Sequence, residues 1–269
     1  MEFNKELIFK IIDNKIDKIE LLYLNKQQLK TWYNALKLNS SLKELDLSYN
    51  KIEDITPLKF LSNSCLEKLY LSHNKIKDIT PLKFIENKSC LKELNLSDNQ
   101  IEDITPLCKY LSNSCLEELY LWDNEIKDLT SLKFISNSCL EILDLGNNKI
   151  EDITPLYKYL SNSCLKKLDL DHNKIEDITP LKFVENSCLK ELDLSSNQIE
   201  DITPLKFLLN SCLEVLDLYN NQIKDITPLK SLSNSCLKRL DLYDNKINEE
   251  DTLELIKLAK LKQIFLYIY

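Results

Sequence analysis

The chain has 269 residues, of which 29% are charged and 43% hydrophobic, with a formal net charge of −8 and a single glycine. That acidic balance argues against a general affinity for nucleic acid or an anionic membrane and makes a basic peptide or protein face the easier partner. No stretch approaches the roughly 18–20 apolar residues that span a bilayer, and no Gly-rich or Pro-rich linker divides the chain, which therefore reads as one elongated domain.

The start, MEFNKELIFKIIDNKIDK, has neither a long apolar core nor a small-residue cleavage site. It is not expected to be a signal peptide, and the expected location is intracellular and cytoplasmic. Glu6, Leu7, Ile8, Phe9, Ile11 and Ile12, with the region of Trp32 and Leu36, predict a helical cap assigned to residues 1–18. A partial repeat follows in which Ile19, Leu22, Leu24, Gln27 and Leu29 carry the spacing, with Gln27 at the polar turn position.

From Leu42 onward the block L-x-x-L-x-L-x-x-N-x-[IL]-x-D-[IL]-T-[PS]-L, closing with N-S-C, recurs nine times, opening at Leu42, Leu66, Leu91, Leu116, Leu140, Leu165, Leu189, Leu213 and Leu237. A unit of 24 or 25 residues cannot bury its own apolar side chains and must stack on copies of itself. Around each first turn, period-two alternation predicts a short strand with Leu45 and Leu47 inward and Asp46 and Ser48 outward. Ile52, Ile55 and Leu58 carry the apolar signal around the coil, and Phe60 with Leu61 closes it.

Three polar positions recur with the leucines. Asn50 and its equivalents, through Asn245, predict an inward amide that satisfies backbone groups of its own and the next turn. Asp54 and its equivalents precede Thr-Pro, a helix-start signal. An Asx bond is expected from the aspartate and a cap from the threonine hydroxyl, with Ser131 replacing proline in the fourth repeat. Eight of nine cysteines occupy one position, from Cys65 to Cys236, and are expected to form a reduced spine of small buried hydrophobes. Cys108, an inserted residue, is the thiol expected to be accessible. Lys43, Glu67, Lys92 and Glu117 alternate in sign, which predicts facing charges on neighbouring coils.

The outward strand positions vary, and variation on a rigid frame is where recognition is written. Tyr70, Tyr120 and Trp122 give one end of this face an aromatic character. Asp144, Asp169, Asp193, Asp217 and Asp241, bordered by Tyr219 and Tyr243, form an acidic strip. These ten residues are the candidate partner-binding set, with Trp122 and Tyr120 as anchor and the strip steering a Lys/Arg-bearing partner. The competing reading is that such aspartates only keep the sheet soluble, screened by Lys166, Lys167, Lys190, Lys238 and Arg239.

After the solenoid, assigned to residues 19–248, residues 249–269 read as a helix over Glu249–Lys260 and a closing strand. Leu261, Ile264 and Leu266 restart the repeat, so eleven coils are expected. Phe265, Tyr267 and Tyr269 make an exposed edge that predicts self-association. Catalysis is not expected: His73 and His172 lie four coils apart, roughly 20 Å by strand spacing. No nucleophile–base pair, phosphate-cradling loop or zinc spacing is present, and neither cofactor nor metal is expected.

The repeat resembles the leucine-rich repeat family, and the segment N-x-I-x-D-I-T-P-L is similar to the subclass of bacterial internalins and of a phosphatase regulatory subunit. The match runs from Ile19 to Leu266. Those relatives repeat at about 22 residues, so the longer unit here, extended around S-N-S-C, implies a longer convex segment. The resemblance implies an α/β solenoid, a right-handed superhelix with a parallel concave sheet and short helical or 3-10 convex segments, that binds a protein partner on the concave face. A protein-interaction scaffold is the leading function. The alternative is a regulatory subunit of an enzyme such as a protein phosphatase; an adhesin-like surface binder, which would need an export signal, comes third.

Overall fold

The computed structural model describes residues 5–85, 90–111, 114–135, 138–157, 163–181, 187–229 and 236–268. Each coil contributes one three-residue strand: β1 Lys18–Glu20, β2 Glu44–Asp46, β3 Lys68–Tyr70, β4 Glu93–Asn95, β5 Glu118–Tyr120, β6 Ile142–Asp144, β7 Lys167–Asp169, β8 Glu191–Asp193, β9 Val215–Asp217, β10 Arg239–Asp241 and β11 Phe265–Tyr267. They pair in parallel in chain order as one eleven-stranded sheet, giving the expected eleven coils. The register follows the sequence repeat, so Leu45 faces Leu69 and Leu69 faces Leu94. The inward leucines of β2 to β10, and the Ile52, Ile55 and Leu58 positions of the coils that carry β2 to β9, fuse into one buried core, which Ile19 extends at the amino end and Ile247 and Leu266 partly cover at the other.

What ends each strand is a residue in the left-handed region just before the ladder asparagine: Tyr49, His73, Asp98, Asp123, Asn147, His172, Ser196, Asn220 and Asp244 all have φ between 47° and 60°. Asn, Asp and His tolerate that region better than branched residues do. The asparagine then fixes the turn. Asn99 Nδ2 donates to the carbonyls of Leu96 at 2.9 Å and Ser97 at 3.0 Å in its own coil, and to Leu71 at 3.0 Å in the coil before, while Oδ1 accepts from Ile76 at 2.9 Å. The amide therefore reaches back to the preceding turn rather than forward to the next.

On the convex side, Asp54 Oδ1 accepts the Thr56 amide at 2.8 Å, a bond repeated at Asp78, Asp103, Asp128, Asp152, Asp177, Asp201 and Asp225. The aspartate rather than the threonine hydroxyl starts the turn. In the 3-10 segment Thr56–Asn63 the N-cap is Ile55, without a side-chain capping bond, and in the fourth repeat the Thr130 hydroxyl donates back to Asp128 at 3.0 Å. Most described convex segments are 3-10, such as Thr80–Ile85 and Thr130–Ile135, but Thr105–Leu111 is α-helical.

Four further expectations need correction. The row of cysteines from Cys65 to Cys236 is exposed and Cys108 is buried, the reverse of the spine reading. Each row cysteine directly precedes an inward leucine such as Leu66, and neighbouring side chains of extended backbone point to opposite sides. Cys108 is the extra residue that converts the convex segment to an α-turn. Its amide reaches Ile104 at 3.0 Å, its sulfur meets the Ser131 hydroxyl at 3.4 Å, and burial pushes its thiol up to about 12. Gln27 is not at the asparagine position: Ile19 pairs with Leu45, which puts Leu24 opposite Asn50, whose Oδ1 accepts the Leu24 amide at 2.6 Å. Leu261 is 76% exposed: Leu266 pairs with Leu240, which makes Leu266 and Ile268, rather than Ile264 and Leu266, the inward pair of the last coil, with Ile264 buried beside them.

At the amino end, helix Lys5–Ile12 buries Ile11 but leaves Phe9 exposed. Helix Lys26–Leu36, started by an Asn25/Gln28 capping box, buries Leu29, Trp32 and Leu36 as the convex side of the first coil. Helix Glu249–Lys262 does the same for the last, burying Leu255 and Ala259. The side chains of Leu7 and Phe60, and Tyr269 as a whole, lie outside the described residues. No helix among the described residues is long and apolar enough to cross a membrane.

Candidate functional site

The concave sheet presents its outward side chains in registered rows. In the central row Asp144 faces Asp169, Asp169 faces Asp193, Asp193 faces Asp217 and Asp217 faces Asp241. One oxygen of each is committed: Asp144 accepts the Gly146 amide at 3.0 Å, Asp169 that of Asp171 at 3.1 Å, Asp193 that of Ser195 at 2.9 Å, Asp217 that of Tyr219 and Asp241 that of Tyr243, both at 3.0 Å. Asn95 makes the same bond to Ser97 at 2.9 Å, so the amide form suffices for the turn and the negative charge is surplus to it.

That charge is costly. Carboxylates one strand apart, about 4.8 Å, repel by roughly 3–4 kcal/mol at an effective dielectric of 20. Burial and then the Asp193 charge push Asp169 up to about 7, and burial foremost pushes Asp217 up to about 6 and raises Asp144. The nearby cations do not relieve the row evenly. Lys166 pairs with Glu141 at 2.7 Å, Lys167 with Glu191 at 3.8 Å, and Lys190 and Lys238 both pair with Glu214. Arg239 reaches the strip itself, at 3.7 Å from Asp217 and 3.8 Å from Asp241.

The aromatic members are arranged differently from one another. Tyr70 and Tyr120 are half-buried, and the Tyr120 hydroxyl donates to Glu118 at 2.7 Å. Burial first, then bonding to Glu93, pushes Tyr70 up to about 12. Trp122 is 36% exposed and lies beside the chain's one glycine: a Cβ on Gly146 would stand 2.7 Å from the indole and 1.9 Å from Asp171 Oδ1. That Asp171 oxygen is buried without a hydrogen-bond partner, while Oδ2 lies 2.7 Å from His172 Nδ1. At the far end Tyr219 and Tyr243 stack with ring centres 5.9 Å apart.

A second aromatic group escaped the sequence reading. Tyr23, Tyr49 and His73 form a continuous stack at the amino end, with centroids 5.4 Å and 4.1 Å apart, and His73 meets Asp98 at 3.3 Å. Its members share the left-handed position, so the signal lay in the column immediately before the ladder asparagine. Among the described residues no three His, Cys, Asp or Glu side chains group to hold a metal ion.

Family models described as leucine-rich repeat match residues 163–223 and, as paired copies, segments from 40–84 through 213–254. Among solved structures, an internalin (inlF) from Listeria monocytogenes is 29% identical with a TM-score of 0.73, covering 95% of this chain and 67% of that one. Internalin C2 from the same organism is 31% identical with a TM-score of 0.56, covering 77% of this chain and 83% of that one. A leucine-rich repeat protein from Leptospira interrogans shares the fold at 23% identity and a TM-score of 0.72, with 94% of this chain aligned to 60% of that one. No curated protein matches the chain.

Proposed function

The chain belongs to the leucine-rich repeat family, and on that premise we propose that it is a non-enzymatic interaction scaffold whose concave face holds a cationic protein or peptide segment. The observation that supports this most is the registered row Asp144–Asp169–Asp193–Asp217–Asp241, to which Arg239 is the one ion-paired cation among the described residues. The turn needs only an acceptor at these positions, so the retained charge is available to a partner, and Lys or Arg groups laid across the strands relieve the repulsion the row carries alone. Tyr70 and Tyr120 continue the line of the row on the preceding strands, and Trp122, Tyr219 and Tyr243, each two residues beyond the row position of its coil, border it along one side as apolar anchors.

Affinity capture followed by mass spectrometry tests the reading by comparing the native chain with a Trp122→Ala/Tyr120→Ala variant and an Asp169→Asn/Asp193→Asn variant. The expected result is a basic partner captured by the native chain in a salt-sensitive manner and depleted roughly tenfold or more by either variant. Equal recovery with all three overturns the concave-face assignment. A phosphatase catalytic subunit as the captured partner supports the regulatory-subunit reading of the same face. The open edge of β11, where Phe265 is 74% and Tyr267 50% exposed, is proposed to pair copies of the chain; a mass in solution that stays monomeric at all concentrations contradicts it.

A further inference from the structure

The exposed cysteines stand three residues before the first residue of their strands, Cys65 before Lys68 and so on to Cys236 before Arg239. The pairings Lys68 with Glu93, Glu93 with Glu118 and Glu118 with Ile142 step by the same intervals as Cys65, Cys90, Cys115 and Cys139. Every thiol from Cys65 to Cys236 is therefore the cross-strand neighbour of the next, in a row bounded by Ser41 and Lys262. Backbone bonds such as Glu67 to Lys43 at 2.7 Å and Lys92 to Glu67 at 2.8 Å pin the chain two residues beyond each cysteine.

Two magnitudes decide what such a row can do. Sheet spacing separates equivalent atoms of neighbouring coils by about 4.8 Å, and side chains leaving equivalent backbone run parallel, so the Cβ atoms stay near that distance. A disulfide needs Cβ atoms within about 3.5–4.5 Å and a χ3 near ±90°, which parallel side chains do not offer. Two thiolates sharing one ion in a line need twice a metal–sulfur bond of about 2.3 Å, roughly 4.6 Å in all.

We propose that this surface row is a binding site for soft monovalent cations, Cu(I) or Ag(I), each ion bridging the thiolates of two adjacent coils. Thiolate sulfur selects such ions, and each bridge forms with loss of two thiol protons and no change of oxidation state. Among the described residues no grouping of three ligands exists, so two-coordinate ions are the species the row suits. Used pairwise, the eight exposed thiols hold four ions.

The test compares serine variants that keep the same number of row thiols at different spacings. Replacing Cys90, Cys139, Cys188 and Cys236 leaves thiols two coils apart, roughly 9.6 Å, whereas replacing Cys164, Cys188, Cys212 and Cys236 leaves adjacent ones. Reduced protein is titrated anaerobically with Cu(I) against a chromogenic chelator, with X-ray absorption reporting the ligands. The native chain is expected to take four ions with two sulfur ligands each and the adjacent variant two, while the alternating variant weakens by roughly a hundredfold or more. Melting curves check folding, and the complementary alternating set, Cys65, Cys115, Cys164 and Cys212 to serine, repeats the wide spacing with the other four thiols and is expected to weaken alike. Equal affinity in the adjacent and alternating variants, or a single sulfur ligand in the native chain, overturns the proposal.

Discussion

Asn148 is tied to Leu121, one coil earlier, by a 3.0 Å hydrogen bond from its amide nitrogen to the leucine carbonyl. The same nitrogen serves Leu145 at 3.0 Å and Gly146 at 2.9 Å, and the amide oxygen accepts the Ile126 amide at 3.0 Å. One side chain thus closes its own turn and fastens it to its neighbour. Asn148→Leu leaves buried carbonyls and an amide unpaired, and is expected to destabilise the chain by about 1–3 kcal/mol in a denaturant or thermal melt. An unchanged midpoint refutes that role.

The fold was legible because its determinants are periodic. Leu45, Leu69 and Leu94 occupy the same motif position and the same core position, since stacking forces equal residues into equal surroundings. Terminal coils lack a neighbour on one side, and there the pattern misled: Gln27 looked like a turn amide, yet Leu24 takes that place because strand pairing, not polarity, sets the register. The cysteines failed for another reason. Their composition suggested burial, but adjacency to an inward leucine outweighs hydrophobicity in extended backbone. On the concave face the row memberships were readable from the repeat, whereas the seat of Trp122 beside Gly146 depends on side-chain directions between coils.

Gly146 is the place to disturb that seat without touching the core. A Cβ there would come within 1.9 Å of Asp171 Oδ1 and 2.7 Å of the Trp122 indole, and both are ends of movable side chains. Gly146→Ala is expected to shift them rather than unfold the coil, because limiting the unfolded chain offsets part of the clash by about 0.4–1 kcal/mol. Trp32 is 4% exposed and supplies a constant background, so a red shift in tryptophan emission reports Trp122 moving outward. Identical emission in both proteins rules out the seat.

The acidic row links stability to pH with a definite sign. Asp169, held up at about 7, and Asp217, held up at about 6, lie above the unfolded aspartate value of about 3.9. Between those values the folded chain binds more protons than the unfolded one. Their contribution is therefore complete in acid and lost as pH rises toward neutrality. Carboxylates whose pKa is lowered, such as Asp54 and Asp152, act in the opposite sense but only in stronger acid. The melting temperature is expected to be higher at pH 5.5 than at pH 8. Asp169→Asn, which keeps the acceptor as Asn95 does, should raise the value at pH 8 and flatten the slope. A slope that survives this substitution intact excludes Asp169 as its source.

Thiol accessibility separates Cys108 from the row. Eight cysteines are exposed and Cys108 is buried against Ser131 in the next coil. Its thiol is also pushed up to about 12 by burial, so little thiolate is available to react while the coil stays closed. A bulky aromatic disulfide reagent added to native reduced protein should titrate eight thiols promptly and the ninth only in denaturant. Cys108→Ser places a hydroxyl in that buried site and is expected to cost about 1–2 kcal/mol, whereas Cys139→Ser, on the surface, should stay within about 0.5 kcal/mol. Nine equally fast thiols, or equal costs for the two substitutions, contradict the placement of the inserted residue inside the helix Thr105–Leu111.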